Sequence, residues 1–139
     1  MEIKIYQHKV QYYETDMMGI VHHSNYIRWF EEARMDFLEK AGYAYKRFED
    51  EGIISPVLEV SAKYRSMVRF GDTVNIEVCL RHFNGIKFGL DYVITDSVTG
   101  EVRVTGSSEH CLLDKGLKPV RLKNENPELY KLLSSLAEK

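Results

Sequence analysis

Cysteine is nearly absent from this chain. Only Cys79 and Cys111 occur, far apart and in apolar, strand-like surroundings, with no CxxC pair or Cys/His ligand spacing around either. That excludes a disulfide scaffold and a zinc module, and both residues are expected to be buried free thiols, because an unpaired cysteine buries like a small hydrophobe. Long apolar runs are missing as well. No stretch approaches the ~20 residues needed to span a bilayer, and the charged segment from Met1 to Lys9 lacks the apolar core of a signal peptide. A cytoplasmic protein without stable membrane insertion is expected. Charge of one sign is also missing: the formal net charge is −2 and the Lys and Arg residues are scattered, so nucleic acid and anionic membranes are not expected partners. There is no internal repeat, low-complexity tract or Pro/Gly/Ser linker, and 139 residues suit a single domain covering 1–139.

What the chain does contain is periodicity. Ile3 to Tyr13 is rich in Ile, Val and Tyr and reads as a strand whose alternation slips midway. From Tyr26 the apolar residues fall at Tyr26, Phe30, Ala33, Phe37 and Ala41, joined by Ile27, Trp29 and Leu38, which is helical spacing over more than four turns. Ser24 and Asn25 are suited to cap its start and Gly42 its end. So broad an apolar stripe needs an extended cover such as a sheet. Strand candidates follow: Ile53 to Tyr64, then Val74, Ile76, Val78 and Leu80 in strict alternation, then Phe88, Leu90, Tyr92 and Ile94 after the turn Asn84-Gly85. After Thr99-Gly100, Val102 to Leu113 forms a further strand, interrupted by Gly106, Ser107 and Ser108. Asn126 caps a short last helix that opens on Pro127 and carries Leu129, Leu132, Leu133 and Leu136. The order is α+β, with an antiparallel sheet and one long helix.

Titratable residues gather in the loop from Tyr13 to Tyr26, which contains Glu14, Asp16, His22 and His23 and feeds directly into the long helix. A helix start offers unpaired N–H groups and the positive end of the dipole, so amides near His23 and Ser24 are placed to bind a developing oxyanion. Asp16 lies seven residues before His23, near enough to fold back beside them. A carboxylate next to oriented donors is the minimum equipment for acyl transfer from a thioester. The pattern leaves open whether Asp16 is catalytic or simply closes a turn. His8, His22, His23, His82, His110 and the two cysteines show no ligand spacing, so no metal and no cofactor are expected.

The string Tyr12-Tyr13-Glu14-Thr15-Asp16, then Gly19-Ile20-Val21, Asn25-Tyr26 and Trp29-Phe30-Glu31-Glu32-Ala33-Arg34, resembles the start of the 4-hydroxybenzoyl-CoA thioesterase family, including its Tol-Pal-associated branch. Similarity continues through Tyr64, Phe70-Gly71-Asp72, Val74-Asn75-Ile76-Glu77 and Pro127-Glu128-Leu129, nearly the whole chain. The resemblance implies a hotdog fold, an antiparallel sheet wrapped around one long central α-helix, and hydrolysis of acyl-CoA without metal. It carries the catalytic aspartate to Asp16 and the backbone oxyanion donor to His23, whose side chain takes part in the Tol-Pal-associated branch. Substrate contact is expected at Met18, Gly19, Asn25 and Glu31, and the implied assembly is a homodimer or homotetramer with the pantetheine arm running between subunits. Ser24 stands where relatives acting on 4-hydroxybenzoyl-CoA have proline, and Met17-Met18 follow the aspartate, which weakens an aromatic assignment.

Other residues have plainer readings beside functional ones. Glu31 with Arg34 has the spacing of an i, i+3 ion pair, or else Glu31 lines a pocket. Met17 and Met18 either shape an acyl pocket or pack. Lys63, Arg65, Arg81 and Lys87 suit CoA phosphates or an ordinary solvated strand face. Two rivals to hydrolysis are a hydratase or dehydratase with a His base and Glu31 or Glu32 on the central helix, and a non-catalytic acyl-CoA-binding module.

Overall fold

The computed structural model describes residues 2–138, so Met1 and Lys139 of the expected domain lie outside it. Strand β1 (Ile3–Lys9) leads through a single 3₁₀ turn at Tyr12–Glu14 into α1 (Ser24–Lys40) and the short α2 (Tyr45–Asp50). Then come β2 (Val57–Tyr64), β3 (Thr73–Phe83), β4 (Lys87–Asp96), β5 (Val102–Cys111), α3 (Leu122–Glu125) and α4 (Pro127–Glu138). The strands form one antiparallel sheet in the order β1-β3-β4-β5-β2. The meander β3-β4-β5 occupies its centre. The strands flanking α1 in the chain, β1 and β2, take the two edges, and α1 packs against β1, β2 and β3. The expected hotdog arrangement results.

Alternation decides which face meets the helix. Val74, Ile76, Val78 and Leu80 of β3 and Leu90, Tyr92 and Ile94 of β4 are buried together with Trp29, Phe30, Ala33 and Phe37 of α1. Phe30 lies nearly flat on Tyr92, with ring centroids 4.3 Å apart. This contact explains the interruption in β5: a Cβ on Gly106 would stand 2.6 Å from both the Phe30 ring and the Ser61 carbonyl. Burying a side chain of this size contributes about 2 to 3 kcal/mol, so the missing Cβ is a packing device. Ser108 is polar for another reason. Its hydroxyl lies 2.6 Å from the Tyr92 hydroxyl and 2.7 Å from His110 Nε2, and Arg34 Nη1 donates to Tyr92 at 3.2 Å, which satisfies a polar chain under the helix. Burial, helped by the charge of Arg34 and opposed by Glu109, holds His110 down to about 4.

Several local expectations need correction. The first strand stops at Lys9 rather than Tyr13, because the chain turns inward to bury Glu14. Asn25 does not cap α1; its side chain donates to the Glu14 carbonyl at 2.8 Å, and His22 Nδ1 faces the Ser24 amide at 3.3 Å instead. Glu31 and Arg34 form no ion pair among the described residues, since Arg34 reaches inward to Tyr92 while Glu31 stays exposed. Cys79 is half-buried rather than buried, being on the sheet's outward alternation, whereas Cys111 is buried. At the other end Asn126 does cap α4, accepting from the Leu129 amide at 3.2 Å, and Leu129, Leu133 and Leu136 are buried, with α4 packed against β3.

Candidate active site

The loop between β1 and α1 folds on itself before the helix begins. The Asp16 amide donates to the Ile20 carbonyl at 2.8 Å, Thr15 bridges to Val21, and Gly19 takes φ +75° in the turn, which suits glycine. Asp16 Oδ1 accepts the Met18 amide at 2.7 Å and the Ile20 amide at 3.4 Å. Oδ2 accepts nothing among the described residues. The carboxylate is therefore anchored through one oxygen and free at the other.

The far end of the loop supplies the donor. The Val21 amide binds the Val68 carbonyl at 2.8 Å, which ties the loop to the segment after β2, and His23 sits at the cap position of α1. In the first turn the Asn25 amide binds the His22 carbonyl at 3.0 Å and the Tyr26 amide the His23 carbonyl at 3.3 Å. The His23 amide donates to no protein acceptor among the described residues. It stands at the positive end of a 17-residue helix, where an unpaired N–H attracts negative charge.

Asp16 and His23 open onto one cleft of about 550 Å³, walled by Ile20, His22, Tyr26, Tyr64, Arg65 and Met67. Its walls are rich in rings. The His22 and His23 rings stack at 4.2 Å, Tyr64 lies 6.3 Å from His23 and 5.4 Å from Tyr26, and Tyr26 meets Trp29 edge-on at 5.2 Å. Burial pushes the Tyr26 hydroxyl above its ordinary range.

The remaining expected contacts are scattered. Met18 and Gly19 are exposed on the Asp16 turn, where the Met18 amide, not its thioether, holds the carboxylate. Asn25 is buried and committed to Glu14. Glu31 lines a second cavity of about 210 Å³ with Arg34, Met35, Leu38, Phe48 and Phe88. Glu32 is engaged by His8 Nδ1 and the Tyr6 hydroxyl, both at 3.2 Å, so neither helix carboxylate needed by a hydratase lines the Asp16 cleft. Of the four basic candidates Arg65 reaches the cleft, while Arg81 is paired with Asp91 and Glu109 on the outer sheet face.

Glu14 escaped the sequence reading. It is buried, and its carboxylate accepts from the Gln11 amide at 2.8 Å, His8 Nε2 at 2.8 Å and Trp29 Nε1 at 2.6 Å. Burial works to raise its pKa, but those three hydrogen bonds prevail and hold it below the usual carboxylate range. The available signal was a buried-helix tryptophan whose indole needs an acceptor. Among the described residues, no group of three or more His, Cys, Asp or Glu could hold a metal ion, and no helix is long and apolar enough to cross a membrane.

Comparison with known proteins assigns the chain to a family. The family model of the thioesterase-like superfamily matches residues 10–131. The chain belongs to this superfamily. A Bacillus subtilis protein provisionally named acyl-CoA thioesterase YneP is 32% identical over 123 residues, covering 88% of each chain. Among solved structures, a DHNA-CoA thioesterase from Staphylococcus aureus superposes with a TM-score of 0.93 at 31% identity, covering 99% of this chain and 93% of the other. A 1,4-dihydroxy-2-naphthoyl-CoA hydrolase of Thermosynechococcus vestitus is 24% identical over 111 residues, covering 79% of this chain and 76% of its own. The superfamily match spans the Asp16 loop, α1 and strands β2 to β5, and the S. aureus likeness covers nearly the whole chain, β1 included, so the hotdog architecture holds over the length of this thioesterase-like chain.

Proposed function

We propose that this thioester hydrolase cleaves acyl-CoA with Asp16 as its reacting carboxylate and the His23 amide as its oxyanion donor. One observation carries the reading: Asp16, with a half-free carboxylate, and His23, with an unpaired helix-start amide, line the same cleft. With the thioester carbonyl on the His23 N–H, negative charge that develops on oxygen during attack is met by a donor already in place. Asp16 either adds to the carbonyl carbon, giving an anhydride that water then opens, or takes a proton from the attacking water. In both routes the C–S bond breaks, the acid leaves with oxygen from water, and CoA leaves as the thiol.

The ring-lined cleft favours a planar acyl group, in keeping with the naphthoyl-CoA names of the relatives described above. The 4-hydroxybenzoyl-CoA and Tol-Pal-associated branches have the sequence resemblance alone in their support. Release of free thiol across short, long and aromatic acyl-CoAs tests the reading. Thiol release, highest with aromatic substrates, is expected. Binding without thiol release, or hydration of the acyl chain, would remove it.

The assembly belongs to the same proposal. Strand β2 is an edge whose residues are exposed almost throughout, including the apolar Val57, Leu58, Val60 and Tyr64. An uncovered strand of this kind invites pairing with another, which supports a homodimer as the smallest working unit.

A further inference from the structure

We infer that Glu14 is a positioning residue that sets the spacing between the Asp16 carboxylate and the His23 amide without touching substrate. The inference rests on the roles given to Asp16 and His23 above.

Glu14 joins four parts of the fold through one residue. Its carboxylate holds His8 of β1, the Gln11 amide of the approach turn and Trp29 in α1. Its carbonyl accepts the His22 amide at 2.9 Å and the Asn25 side chain at 2.8 Å, just where the chain enters the helix. Asp16 comes two residues after Glu14 and His23 one residue after His22. The 15–21 segment is thus a closed loop whose two ends meet at Glu14, and the reacting pair sits immediately on either side of that junction. Any movement of Glu14 shifts both members at once.

The charges explain why this residue is a carboxylate. Three N–H donors converge on two oxygens, and His8 is itself held between Glu14 Oε1 and Glu32 Oε2. Both ring nitrogens of His8 thus face carboxylate oxygens, and the one toward Glu14 donates to it, which fixes the ring between β1 and the junction. An amide in place of the carboxylate would turn an NH₂ group toward one of those donors, leave a hydrogen bond unmade and push the junction apart.

Glu14→Gln in the full chain tests this, by steady-state thiol release, melting temperature and amide hydrogen exchange. Displacement of reacting groups by even 1 Å costs on the order of a hundredfold, so kcat is expected to fall about ten- to a hundredfold while KM changes less than about threefold. Exchange of the His22 amide should quicken about tenfold while β3 and β4 amides stay protected, because only the junction is loosened. His8→Gln serves as a gentler variant. It leaves the carboxylate on Gln11 and Trp29, should give a smaller kcat loss with the same local exchange pattern, and decides the matter alone if Glu14→Gln does not fold. Unchanged kcat, uniformly faster exchange with unchanged kcat, or a kcat loss with no change at His22 would each overturn the positioning role. Asp16→Asn in the same assay separates the two failures. Wild-type turnover there overturns the Asp16 reading, whereas an inactive Asp16→Asn beside a fully active Glu14→Gln overturns the positioning role only.

Discussion

Replacing Asp16 with asparagine removes one negative charge and almost nothing else. Asparagine keeps a carbonyl oxygen where Oδ1 now accepts the Met18 and Ile20 amides at 2.7 and 3.4 Å, so the turn retains its acceptor. The amides lose a charged partner for a neutral one, a difference of about 1 kcal/mol. For a chain of 139 residues that corresponds to a melting-temperature decrease of roughly 3 to 4 °C. Catalysis should suffer far more. An amide is neither a base nor a useful nucleophile, and loss of general base assistance alone costs about 10² to 10⁴-fold, so turnover should fall at least about a hundredfold. Binding of a non-hydrolysable acyl-CoA analogue should stay near the wild-type value, because the His23 amide and the ring-lined walls are untouched. Thiol release by wild type and variant, with calorimetric melts of both, provides the comparison. If Asp16→Asn turns over at the wild-type rate, the carboxylate serves only its turn and the mechanism proposed here is wrong.

His23→Ala keeps the backbone N–H and deletes the imidazole, so turnover near wild type assigns His23 to its amide, and a loss beyond about tenfold brings in its side chain. Light scattering at micromolar concentration is expected to report a dimer or larger, and a stable, active monomer would remove the pairing of exposed β2 edges. Gly106→Val places a side chain where a Cβ already meets Phe30 and Ser61 at 2.6 Å, so stability should drop by about 3 kcal/mol, roughly 10 °C in a melt; an unchanged melt would mean that Phe30 does not rest on β5. His110 has a folded value of about 4 against 6.5 for the free side chain. The unfolded chain therefore binds the proton more readily, stability is full above 6.5, and it declines as pH falls from 6.5 toward 4, by an amount on the order of 2 to 3 kcal/mol. His110→Gln should flatten that decline in thermal melts across this range, and an equal decline in both proteins would assign it elsewhere.

Much of the architecture was legible along the chain because its signals are local. Strict alternation at Val74–Leu80 and Phe88–Ile94 can be satisfied in water by one half-buried sheet face, and the stripe from Tyr26 to Ala41 by one long helix, whatever surrounds them. Asp16 stood out from its loop and motif, and His23 from its place before the helix. The short α2 did not, because six residues carry too little periodicity to be distinguished from a turn. What the chain order could not show is convergence. Whether Asn25 caps a helix or braces a carbonyl, whether Glu31 meets Arg34 or lines a cavity of its own, and which edge strand supplies Tyr64 to the cleft depend on groups distant in sequence. Glu14 is the sharpest case. On paper it is one acid among several, and it becomes a junction only when β1, the turn and α1 bring three donors to its carboxylate and two to its carbonyl. Hydrogen-bond geometry and burial arise between segments, so only the folded chain decides them.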